Sequence, residues 1–100
     1  MNELLEPWSE VPELQRVALE TELHRELSPD HILAGKSARA VARRFDRDDV
    51  LFEVAGLGFA VVHLTYSKSR ETSPKWPSTE LFASFAEWRE RRMQTDYDAF

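Results

Sequence analysis

Between Val11 and Leu27 the apolar positions fall at helical spacing. Leu19, Leu23 and Leu27 recur every four residues, with Leu14, Val17 and Ala18 read as a neighbouring stripe, so the pattern predicts one amphipathic helix over 11–27. Pro12 suits a first helical turn, and Pro29 in "SPD", lacking an amide hydrogen, marks the stop. From residue 38 the period changes to two. "ARAVARRF" (38–45) alternates Ala38, Ala40 and Ala42 with Arg39, Val41 and Arg43, which predicts a strand with one face of small residues. "DRDD" supplies turn chemistry, "VLFEV" (50–54) a second strand and "FAVVHLTY" (59–66) a third. The glycines of "AGLG" can take the positive φ angles of a tight hairpin.

A loop at 56–58 would pair residue 55 with 59, 53 with 61 and 51 with 63. Val50, Phe52, Val54, Ala60, Val62 and Leu64 then share one face, expected to be the core. Leu51, Glu53, Phe59, Val61, His63 and Thr65 share the other, a semi-polar outer layer on which Arg39 and Arg43 would lie near Glu53. After a polar loop, residues 79–83 are expected as a short fourth strand. Ser84 and Glu87 have the spacing of a capping box, opening a helix from 85 to about 93. Phe85, Trp88 and Met93 can cover apolar surface, while Tyr97 and Phe100 pin the tail. The fold class is therefore α+β: an N-terminal helix, a three- or four-stranded antiparallel sheet and a C-terminal helix.

One hundred residues, 42% of them hydrophobic, suit a single small domain spanning 1–100. With no cysteine, disulfides and thiolate chemistry are excluded. No apolar run reaches membrane-spanning length and no secretory signal opens the chain, so a cytoplasmic protein is expected. The net charge of −5 is uneven: residues 1–30 carry eight acids and two bases, residues 31–70 four and seven. The acidic first third either shields the basic middle or faces a basic partner.

His63 is the best acid-base candidate because imidazole is poised near neutral pH, with Glu53 as its expected partner and Thr65 on the same face. The more ordinary role of a strand histidine is structural. His24, His31 and His63 fall in three different elements without ligand spacing, so neither a metal nor another cofactor is expected. Arg39, Arg43, Arg44 and Arg47 cluster near Phe45 and Phe52, but Asp46, Asp48, Asp49 and Glu53 offset them, and nucleic acid is not an expected partner. "SKSRETSPKWPST" holds Trp76 between Pro74 and Pro77. A backbone so restricted presents an aromatic at low entropic cost, unless the ring folds inward as a lid on the sheet.

"AVVHLTYS" from Ala60, "KWPSTELFAS" from Lys75 and "FAEW" from Phe85, preceded by "DDVLFEV" from Asp48, together resemble a group of small, mainly bacterial proteins without assigned activity. The resemblance covers residues 38–93 and implies one compact bacterial domain. It carries over no catalytic residue. The expected function is non-enzymatic protein binding, of a regulatory or immunity type, through the outer sheet face and the Trp76 loop, with Trp76, His63, Thr65, Glu53 and Arg43 as contact residues. The alternatives are a small enzyme using His63 and Glu53, and homodimerisation through an edge strand or the outer sheet face.

Overall fold

The computed structural model describes residues 4–67 and 72–100. One antiparallel sheet runs in the order β1 (Trp8–Glu10), β2 (Ala38–Arg44), β3 (Asp49–Val54), β4 (Gly58–His63) and β5 (Ser78–Phe82). Helix α1 (Glu13–Glu26) links β1 to β2. The C-terminal helix runs through α2 (Phe85–Trp88), a π-helical turn (Arg89–Met93) and α3 (Gln94–Ala99). The α+β class and the two flanking helices are as expected, and residues 79–83 belong largely to a strand. Among the described residues the sheet has five strands, not three or four. The additional strand, β1, is three residues long and bracketed by Pro7 and Pro12, too short for a period-two signal.

Each face of the sheet carries its own core. On one face Leu19, Leu23 and Leu27 bury against Phe52, Val54, Val62 and Leu64, each leucine stabilising the fold by roughly 1.5–3 kcal/mol. Leu14 and Val17, grouped with that stripe in the sequence, lie in solvent at 95% and 58% exposure. At about 100° per residue Leu14, Val17 and Ala18 point away from the leucine stripe, and a helix with one contact face buries only one of the two. The other face was expected to be a semi-polar outer layer. Instead Leu51, Val61, Phe82 and Trp8 form a second core beneath Trp88 and Met93. The two indoles meet edge to face, with centroids 5.1 Å apart.

Two local shifts correct the expected side-chain neighbours. β2 is irregular between Ala40, opposite Phe52, and Ala42, opposite Leu51. The extra residue, Val41, reverses the alternation, so Ala38 and Ala40 pack on the α1 side while Ala42 joins the second core. Arg39 thus faces Glu53 on the outer side, whereas Arg43 faces Val50 and donates to Gln15 Oε1 of α1 at 3.2 Å. In the hairpin, Val54 pairs with Gly58 around a loop of Ala55, Gly56 and Leu57, closed by Leu57 N–H to Val54 O at 3.1 Å. Relative to the expected register this is a slip of two residues, which preserves the faces and changes every partner. Glu53 lies beside Phe59 and His63 beside Asp49.

Gly58 has φ 111°, and a Cβ there would stand 2.6 Å from the Phe82 carbonyl oxygen, so a side chain at this position would collide with the backbone where β5 ends. The expected capping box forms with one change. Ser84 Oγ accepts from Glu87 N–H at 3.1 Å, while the Glu87 carboxylate accepts from Ala83 N–H rather than Ser84 N–H.

Candidate functional site

The antiparallel register sets Asp49, His63 and Ser78 side by side on three neighbouring strands. His63 Nδ1–H donates to Asp49 Oδ1 at 2.6 Å, and Arg92 Nη2–H donates to Asp49 Oδ2 at 2.6 Å from the C-terminal helix. Arg47 Nε stands 3.6 Å from the same carboxylate. Burial pushes the Asp49 carboxyl up, but its bonds to His63 and Arg92, with the Arg92 and Arg47 charges, outweigh that and hold it below its ordinary value. His63 is half-exposed and its Nε2 makes no hydrogen bond among the described residues. The imidazole is therefore oriented by a carboxylate, but by Asp49. Glu53 sits four strand residues from Asp49, about 13 Å along the strand, so the expected His63–Glu53 pair does not form.

Arg92 continues the network away from His63. Its Nε–H donates to Asp96 at 2.9 Å, Asp96 also accepts from Trp8 Nε1–H at 2.8 Å, and Arg44 lies 3.4 Å from it. These bonds tie the C-terminal helix to β1, β2 and β3. A cavity of about 120 Å³ lies over the corner between Arg47, His63, Ser78 and Glu80.

The second candidate is the loop before β5. Trp76 is 51% exposed, so it does not fold inward as a lid. A turn holds it, with Trp76 N–H bonded to Ser73 O at 3.2 Å and Lys75 N–H to Ser73 Oγ at 3.2 Å. Residues 68–71 of the same loop lie outside the described residues.

Both roots of this loop are pinned by buried polar side chains. Glu26 Oε1 accepts from Thr65 N–H at 2.9 Å and from the Thr65 hydroxyl at 3.1 Å, while Oε2 accepts from Tyr66 N–H at 2.9 Å. By capturing these amides Glu26 ends β4 at His63, and Tyr66 turns to φ 53°. At the other root His31 Nδ1 accepts from Leu33 N–H at 3.0 Å, which leaves Nε2–H to donate to Pro77 O at 3.1 Å. The Thr79 hydroxyl donates to the same carbonyl at 2.9 Å. Burial raises the Glu26 carboxyl above its ordinary value. The neighbouring Glu22 carboxyl adds to this, and the Thr65 and Tyr66 donors offset part of it.

The five residues expected to act together are therefore dispersed. Trp76 is on the loop, Thr65 at the loop's root, His63 at the Asp49 corner, Glu53 opposite Arg39, and Arg43 on the α1 side. Sequence reasoning missed Glu26, His31 and Asp49. Glu26 gave one signal, since it lies within one residue of the buried leucine stripe of α1, where a solvated charge is out of place. Compared with known protein families, curated proteins and solved structures, the chain finds a match in none of the three.

Proposed function

We propose that this protein is a non-enzymatic protein-binding domain, of a regulatory or immunity type, whose anchor is Trp76. The observation that carries this reading is the half-exposed indole on a loop whose two roots are fixed by Glu26 and His31. A large aromatic held in place before binding loses little entropy on docking, which is the property of interface hot spots. The middle of the outer sheet face lies under Trp88 and Met93 and offers no contact surface. The test is capture of partners from a lysate of the source cell by wild type and by Trp76→Ala, with circular dichroism confirming that the variant is folded. Loss of a captured band in the variant supports the loop as anchor, and equal capture removes it.

A second reading rests on His63. With Nδ1 held by Asp49, Nε2 is presented to solvent as a general base, which supports acid-base chemistry on a small substrate. A turnover lost in His63→Gln and kept in His24→Gln would favour it.

A further inference from the structure

Where β1 stops at Glu10, the outer side of β2 is left as the wall of a groove of about 390 Å³, within the size range of small-ligand sites. Its apolar surface comes from Val41, Phe59 and Phe85, the partly buried margin of the second core, with the two rings 5.9 Å apart edge to face. Its polar wall is built by Arg39 and Glu53, directly opposite each other on β2 and β3. The other charges divide by whether they are engaged. Glu13 and Arg16 neutralise each other at 2.6 Å, and Arg16 also holds Glu20. Arg39, Glu53 and Glu10 form no ion pair among the described residues. A cation and a carboxylate thus stand adjacent above an aromatic floor, neither held in an ion pair among the described residues, with the Arg39 charge also felt by the Glu13 carboxylate across the groove.

We propose that this groove binds a free α-amino acid with a large apolar side chain. The two charges of an α-amino acid are one carbon apart, and cross-strand neighbours start their side chains from Cβ atoms about 4.5–5.5 Å apart, so the flexible arms of Arg39 and Glu53 can converge on one zwitterion. Its carboxylate meets Arg39, its ammonium meets Glu53 with Glu10 as a second carboxylate, and its side chain lies over Phe59 and Phe85. A ligand with a single charge leaves one of the two residues unmatched. A second hollow of about 440 Å³ flanks the same pair on the hairpin side, but it is lined by the turn from Val54 to Gly58 and lacks Phe85. The apolar end of the ligand therefore selects the first groove. The site uses no part of the Trp76 loop and stands independently of the binding role assigned to it.

The experiment is calorimetric titration of the whole chain with L-phenylalanine, with L-phenylalaninamide, which lacks the carboxylate, and with N-acetyl-L-phenylalanine, which lacks the ammonium. Phenylalanine should bind saturably, and each analogue should bind at least about tenfold more weakly, the loss of one charge-assisted contact. Arg39→Gln should abolish the preference over the amide, and Glu53→Gln the preference over the N-acetyl compound. Both side chains are exposed, so melting temperatures should stay at the wild-type value. No saturable binding of phenylalanine up to millimolar concentration would overturn the proposal. So would equal affinity for the amide, which reassigns the groove to a peptide N-terminus, or for the N-acetyl compound, which reassigns it to a peptide C-terminus. The ligand series on wild type decides the matter even if a variant misfolds.

Discussion

Replacing Asp49 by asparagine keeps the shape of the side chain and removes the charge on which His63, Arg92 and Arg47 converge. Asp49 is 3% exposed, so the change acts in a poorly solvated site. A hydrogen bond to a charged group contributes roughly 1.5–3 kcal/mol, and two are at stake, from His63 and Arg92. His63 is half-exposed and its share is reduced by solvent, while Arg47, at 3.6 Å and half-exposed, adds little. Arg92 keeps Asp96 as a partner and is not stranded. The expected cost at neutral pH is about 2–4 kcal/mol, a large part of the 5–15 kcal/mol typical of a domain. Urea unfolding of wild type and Asp49→Asn, repeated from pH 7 down to pH 2.5, measures it. Because the folded-state value of Asp49 is depressed, its contribution is complete above the unfolded value of about 3.9 and is lost as pH falls through the folded value. The gap between the two proteins should therefore hold near neutrality and close in the acid range. A gap below about 0.5 kcal/mol at pH 7, or one that persists unchanged in acid, refutes the assignment of Asp49 as the charged tether of the C-terminal helix.

Glu26 has the opposite sign: its folded value is raised, so wild-type stability should fall as pH rises from the ordinary glutamate value towards the raised one, and Glu26→Gln should lack that fall in the same unfolding series. Gly58→Ala should cost more than the roughly 1–3 kcal/mol of backbone strain alone, because of the Phe82 carbonyl. Gly56→Ala, with open space around its Cβ, should cost about 1 kcal/mol or a little more, and thermal unfolding compares the pair. Trp8→Phe should exceed Trp88→Phe by roughly 1.5–3 kcal/mol in chemical denaturation. Trp8 Nε1–H bonds the charged Asp96, whereas Trp88 Nε1–H has no acceptor among the described residues.

Much of the fold was legible along the chain because hydrophobic period is a local property. The helix now seen at Glu13–Glu26, the strands from Ala38 and Asp49, and the division of Val50, Phe52, Val62 and Leu64 from Leu51, Val61 and His63 all follow from spacing. The even slip of the hairpin register left that division intact. It nevertheless changed the chemistry, since a slip of two replaces Leu51 by Asp49 beside His63. Turn position decided that slip: the three-residue loop sits at 55–57 rather than 56–58, and moving a turn by one residue shifts the register by two.

Three features were decided only by the folded arrangement. A single residue, Val41, reversed the facing of β2 and sent Arg39 and Arg43 to opposite sides of the sheet, because alternation resets at a bulge. Trp8 stands among polar and acidic neighbours on a strand of three residues, with no hydrophobic period to mark it. It became core because the C-terminal helix, far away in sequence, brought Trp88 and Asp96 onto it. Glu26 and His31 carry no motif, yet each is buried where its polar atoms reach backbone groups roughly 40 or more residues away. Local pattern determines which side chains point together. Which of those groups then meet a partner is a matter of long-range packing, as at the Asp49 corner and at the two roots of the Trp76 loop.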